Sequence, residues 1–157
     1  MTKNIFFVPI TKKNWETVLE LEVHPEQQKF VPSPAESLAS AYIKPWDEAL
    51  DPYAIMLDDK MIGLFYVSYT PESTDNYWIG GFFIDKKYQG LGYGKSSLKK
   101  ILKFILSIHP NCQQMKLTVE KENSVARTLY KSVGFVTDNK VNKYDEIIYT
   151  INVKNIS

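Results

Sequence analysis

One cysteine, two histidines and no long apolar run set the first limits on this chain of 157 residues. Cys112 alone cannot close an internal disulfide, and with only His24 and His109 beside it no metal-ligand cluster is visible. No metal site is expected. No stretch approaches the roughly 20 apolar residues that cross a bilayer, and the opening Ile5-Phe6-Phe7-Val8 run is too short for a signal peptide. A cytoplasmic protein with no membrane partner is the expectation. Charge of one sign is lacking too: 19 basic against 18 acidic residues leave +1. Such a chain has no global field to attract nucleic acid. What is present, 44% hydrophobic and 24% charged residues over this length, reads as one ordinary globular domain spanning 1–157.

The most informative stretch runs over 77–106. Trp78, Ile79, Phe82, Phe83 and Ile84 read as a buried strand, and Leu98, Ile101, Leu102 and Ile105 recur at helical spacing. Between them Gly90, Gly92 and Gly94 alternate. A helix start offers unpaired N–H groups and the positive end of its dipole. Glycines there let the backbone approach a phosphate closely, and Lys95 can add a charge. The simpler reading is a flexible turn. Two other phosphate motifs fail on spacing. A P-loop ending in Gly94-Lys95-Ser96 needs glycine where Gln89 stands, and a dinucleotide fingerprint needs it at Lys95 or Ser97.

The remaining chain reads as alternating elements. Residues 4–8 form a first strand closed by Pro9. Thr11 is read as the cap of a helix carrying Trp15, Val18 and Leu19, which His24-Pro25 ends. Ser33, Pro34 and Glu36 form a capping box for a second helix with Leu38, Ala41 and Tyr42 as its inner stripe and Pro45 as its stop. Residues 53–57 and 61–69 are a hairpin, antiparallel to the 77–84 strand. Met115, Leu117 and Val119 alternate as a strand roughly parallel to it. Asn123 caps a helix with Ala126, Leu129, Tyr130 and Val133, Gly134 ends it, and 135–137 with 146–153 close the sheet as a hairpin. The order is β-α-α-β-β-β-α-β-α-β-β.

Gln89-x-x-Gly92-x-Gly94 resembles the pyrophosphate loop of the GNAT acetyltransferase superfamily, and Asn123-x-x-Ala126-x-x-Leu129-Tyr130-x-x-x-Gly134-Phe135 resembles its second conserved segment. The resemblance covers nearly the whole chain. Within the superfamily, Val23-His24-Pro25-Glu26-Gln27-Gln28-Lys29-Phe30-Val31, the Glu36-Ser37-Leu38-Ala39 helix, Pro52-Tyr53-Ala54-Ile55 and Ile84-Asp85-x-x-Tyr88-Gln89-Gly90 are similar to bacterial spermine/spermidine (diamine) acetyltransferases.

The resemblance implies an α/β (α+β) GNAT fold: a mixed, mostly antiparallel, twisted sheet of about seven strands with helices on both faces. It implies acetyl-CoA as cofactor and transfer of acetyl to a primary amine of a small polyamine by direct attack. The backbone of Phe82, Phe83 and Ile84 would pair with the pantetheine arm. The loop Gln89, Gly90, Leu91, Gly92, Tyr93, Gly94, Lys95 would hold the pyrophosphate, and Asn123 would contact the cofactor. Tyr130 would protonate the departing thiolate, although its place in an apolar stripe reads equally as a core tyrosine.

An amine with pKa near ~10 must lose a proton before attack. Where GNAT enzymes often carry a carboxylate, this chain has Gly80 and Gly81. They mark either a strand bulge or a widened acceptor pocket. Glu26, Glu36, Glu72 and Asp85 are the candidates for the base, and no pattern selects among them. Glu26, Glu36, Glu72, Gly80 and Gly81 form the expected substrate-binding set. Another amine acceptor (aminoglycoside, amino acid or protein N-terminus) and a non-catalytic acyl-CoA sensor are the alternatives. Dimers are frequent in the resembling family, and open sheet edges are compatible with a homodimer.

Overall fold

The computed structural model describes residues 3–156; Met1, Thr2 and Ser157 of the expected 1–157 domain lie outside the described residues. Six strands form one sheet: β1 (Ile5–Pro9), β2 (Ala49–Leu57), β3 (Lys60–Tyr69), β4 (Tyr77–Ile84), β5 (Gln114–Val119) and β6 (Ile147–Asn152). Their spatial order is their chain order. All neighbours are antiparallel except β4 and β5. That exception follows from α3 (Tyr93–Ile108), the one helix connecting adjacent strands of the sheet's middle.

Successive side chains of a strand face opposite ways, so each side of the sheet takes its own helices. On one side Leu98, Ile101, Leu102 and Ile105 of α3 pack with Ile62, Phe65, Met115 and Tyr149. Helix α4 (Ser124–Val133) joins this core through Ala126, Leu129, Tyr130 and Val133. On the other side Val18 of α1 (Trp15–Glu20), with Leu21 and Val23, packs on Leu64 and Phe83. Leu38 of α2 (Pro34–Ile43) rests against the same group. Burying each such aliphatic side chain contributes about 1.5–3 kcal/mol.

The Ser33 capping box forms as read, with Ser33 Oγ accepting from Glu36 N at 3.2 Å and Glu36 accepting from Ser33 N at 3.3 Å. Asn123 likewise caps α4, and Gly134 closes it at φ +121°. Other boundaries differ. Helix α1 starts at Trp15 because Asn14, not Thr11, sits at its cap; the Asn14 amide is tied to Thr11 N and Pro9 O. Strand β2 begins four residues earlier than 53 and runs through Pro52. In α2 the buried residue is Ser37, while Tyr42 is 88% exposed rather than part of an inner stripe.

The sheet has six strands rather than about seven. Residues 135–137 meet β6 at the bridge Val136↔Thr150, the left-handed turn at Asn139 then breaks the register, and pairing returns at the bridge Val141↔Ile147, so two isolated bridges stand in place of a further strand. The antiparallel sense of that closing hairpin is kept.

Candidate active site

Strands β4 and β5 meet at a single parallel pair, Trp78↔Lys116, and then part. From Gly80 to Ile84 the β4 edge therefore has no strand partner on that side, so within the stretch Phe82, Phe83 and Ile84 the alternate backbone groups that point away from β3 can bond a ligand as an added strand, while the Phe83 carbonyl faces β3. A cleft of about 770 Å³ opens there.

The β3–β4 register explains the paired glycines. Leu64 faces Phe83 and Tyr66 faces Gly80, so Phe65 alone opposes Gly81 and Phe82. This is a β-bulge, and Gly81 takes φ +58° within it. Gly80 is a close approach: a Cβ there would lie 2.4 Å from the Tyr66 ring. The missing side chains do not widen the pocket, since the Tyr66 ring fills the space and itself lines the cleft.

At the other end of β4, α3 begins at Tyr93 with Gly92 as its cap and no side chain bonded there. Gly90 (φ +76°) and Gly92 (φ +86°) adopt a conformation that L side chains rarely take, and an added Cβ on either would meet nothing within 4 Å. An open concave backbone before a 16-residue helix fits a phosphate. Gly94 has an ordinary φ and contacts no closer than 3.9 Å, so its glycine identity is not forced. Leu91 and Lys95 are exposed on this loop.

The loop is anchored by an amide pair. Gln27 Nε2 donates to Gln89 Oε1 and Gln89 Nε2 to Gln27 Oε1, each at 3.0 Å; Gln89 Nε2 also donates to the Ile84 carbonyl at 2.8 Å. The turn carrying Gln27 (Pro25–Phe30), whose last residue lines the cleft, is thus tied to the glycine loop.

The expected acids divide. Glu36 lines the cleft; Glu26 and Glu72 are exposed and lie outside its lining. Asp85 is buried at 2% exposure, and its carboxylate accepts from Glu22 N at 3.0 Å and Lys87 N at 2.9 Å. It holds the chain after β4 and is not a candidate base. Three acids that sequence reasoning missed complete the cleft: Glu48, Glu120 and Glu146. Position in the sheet, not local pattern, gathers them, although Glu120 could have been found from the Met115/Leu117/Val119 alternation, which turns residue 120 to the opposite face. The lining holds these four carboxyl groups and no lysine, arginine or histidine. Trp46, Tyr66, Trp78 and Tyr144 supply flat apolar walls, with Trp46 stacked on Tyr66 at 6.3 Å.

Glu48 accepts from Ser68 Oγ at 3.0 Å and from Asn76 Nδ2 at 3.1 Å, and Asn142 Nδ2 donates to Glu146 at 2.8 Å. Burial, then the hydrogen bond and charge of Glu146, push the Glu120 carboxyl up to about 7. Tyr130 lines the cleft beside them, packed on Phe135 and Tyr149. Burial and the Glu120 charge raise its phenol, which keeps its proton through the neutral range.

Residues 15–135 match the Acetyltransferase (GNAT) family. The chain belongs to that family. The enzyme is an acyltransferase that moves acetyl from acetyl-CoA to an amine nitrogen. It is 30% identical over 130 residues to a protein from Bacillus subtilis subsp. natto described as a probable spermine N(1)-acetyltransferase, covering 80% of this chain and 84% of that one. Its fold matches a Vibrio cholerae spermidine N-acetyltransferase solved with CoA and spermine (TM-score 0.74, 16% identity, 97% of each chain). It equally matches the aminoglycoside acetyltransferase AAC(6')-Ib solved with coenzyme A (TM-score 0.76, 16% identity, 97% of this chain and 96% of that one). The fold alone therefore does not select the acceptor. Among the described residues no helix is long and apolar enough to cross a membrane.

Proposed function

We propose that the enzyme acetylates a terminal primary amine of a di- or polyamine such as spermidine or spermine, by direct attack in a ternary complex. The observation that carries this reading is the cleft: four carboxyl groups, no cationic side chain and aromatic walls. Ammonium groups spaced along an alkyl chain satisfy both features, since carboxylates and aromatic faces attract the cations and the rings cover the methylenes. The polyamine-acetylating relatives support it.

Acetyl-CoA supplies a thioester whose carbonyl carbon accepts the amine. The residues present fit it. The open edge at Phe82, Phe83 and Ile84 would bond the pantetheine amides and polarise the carbonyl, and the backbone around Gly90 and Gly92 with the start of α3 would hold the pyrophosphate. Asn123 spends its amide oxygen on Ala126 N, at 3.3 Å, so its N–H2 is the part left for the cofactor. Tyr130, protonated in the neutral range, would give its proton to the sulfur that leaves. Glu36 and Glu48 would bind the distal ammonium groups. The whole of 1–157 would act as one domain.

Thiol release from acetyl-CoA, measured with spermidine, spermine, putrescine, lysine and an aminoglycoside in separate reactions, tests the reading. Polyamines are expected to give the highest kcat/KM. A higher value for lysine or the aminoglycoside would overturn it.

A further inference from the structure

Strand β4 carries no carboxylate into the cleft; Gly80 and Gly81 stand there, and the Tyr66 ring occupies the space beside them. The cleft nevertheless holds a pair of acids in an arrangement that sheets ordinarily avoid. The β5–β6 register runs Leu117↔Tyr149, Thr118↔Ile148, Val119↔Ile147. Continued by one residue, it sets Glu120 directly across from Glu146. Cross-strand neighbours lie about 4.5–5.5 Å apart at Cβ, and like charges there are destabilising. Alternation sends Val119 and Ile147 into the core and turns Glu120 and Glu146 to the cleft. Local rules broken in this way mark functional positions.

We propose that Glu120, set against Glu146 across the sheet, is the general base that takes the proton from the acceptor ammonium. This rests on reading the cleft as the acceptor site, whichever amine fills it. Glu120 follows β5 at the point where it has parted from β4, and it lines the same cleft as the β4 edge and Tyr130. Base and acid thus line one cleft, near enough that the Glu120 charge raises the Tyr130 phenol. The N–C bond forms as the C–S bond breaks. Of the two protons the ammonium nitrogen gives up, one passes to Glu120 and on to solvent, and the other, through solvent, restores to Tyr130 the proton it gives the sulfur. Ammonium and thioester become amide, thiol and one released proton.

The groups that set the behaviour of Glu120 are Glu146 at the start of β6, Glu122 in the loop before α4 and Tyr130 on α4, with Tyr66 of β3 close to Glu146. An ordinary carboxylate near ~4.3 lies about six units below an ammonium near ~10.4. Raised to about 7, Glu120 closes roughly half that gap and still sheds its proton near neutrality.

The test uses the full enzyme with whichever amine it acetylates best. Glu120→Gln should lower kcat/KM at pH 7 by about 10²–10⁴-fold and remove the acid limb near neutrality. Binding of that amine to the CoA-loaded enzyme, followed by calorimetry in two buffers of different ionisation enthalpy, should release protons near neutral pH in the wild type and fewer in Glu120→Gln. Glu146→Gln should fold and move the acid limb part of the way to lower pH, because the charge that adds to burial in raising Glu120 is gone. Glu120→Gln retaining kcat/KM within threefold with an unchanged acid limb, or an unmoved limb in Glu146→Gln, overturns the proposal. If the best amine is not a polyamine but these shifts occur, Glu120 stands and the polyamine reading falls. If no amine is acetylated, both fall.

Discussion

Replacing Gly80 with alanine isolates the contact that shapes the cleft floor. The added methyl would lie 2.4 Å from Tyr66 Cζ, 2.5 Å from Cε1 and 2.5 Å from the hydroxyl oxygen, against about 3.4–4 Å for an ordinary contact. The ring must therefore move by about 1 Å, and it is already stacked on Trp46. Overpacking of this kind costs about 1–3 kcal/mol. For a chain of this length Tm falls about 2–4 °C per kcal/mol, so thermal unfolding should drop by roughly 3–10 °C. Because Tyr66 lines the cleft, the KM for the amine should rise while that for acetyl-CoA stays within about twofold. A double-mutant cycle with Tyr66→Ala assigns the cause. Gly80 has no positive φ, so without the ring alanine should be neutral or slightly stabilising. An equal penalty in both backgrounds would place the cost in the strand backbone and refute the reasoning.

Three further outcomes are expected. Tyr130→Phe should lower kcat by about 10–100-fold with stability nearly unchanged, as read by steady-state rates and a thermal melt; the modest size follows from the ease with which a thiolate leaves. Gly92→Ala should raise the acetyl-CoA KM and cost about 1–2 kcal/mol through its φ of +86°, whereas Gly94→Ala should change that KM less than threefold. Gln27→Ala removes both amide bonds to Gln89, at about 1 kcal/mol each, and should raise the acetyl-CoA KM severalfold, measured by thiol release, although Gln27 lies more than sixty residues from the loop in sequence.

Most of the fold was legible because its strongest signals are local. The Ser33-Pro34-Glu36 cap, the α3 stripe and the Asn123 and Gly134 boundaries each depend on residues within a turn or two of one another. Strand β2 was read from residue 53 although it starts at Ala49; β1 pairs only from Tyr53 to Leu57 and leaves the earlier part of β2 as an edge where Pro52 is tolerated. The glycine loop and Tyr130, proposed as the acyl-donor half of the site, were legible from local motifs. The proposed acceptor half was legible only at Glu36, Gly80 and Gly81: Glu48, Glu120 and Glu146 come from three separate strands or their ends and meet only through register. Asp85 misled for a related reason, since nothing in its neighbourhood shows that its carboxylate is committed to the backbone at Glu22 and Lys87.

The central claim is that fixed carboxylates in this cleft select a polycationic amine. Glu48 is held by Ser68 and Asn76, so Glu48→Gln removes a positioned charge with little change in shape. A contact ion pair near a protein surface is worth up to about 4 kcal/mol, and screening leaves about 1–2, or roughly five- to thirtyfold. The decisive measurement is the ratio of kcat/KM for spermidine to that for butylamine in the wild type and in Glu48→Gln. The expected wild-type ratio is well above one and falls by about tenfold in the variant. A ratio near one, or one that Glu48→Gln leaves unchanged, would contradict it.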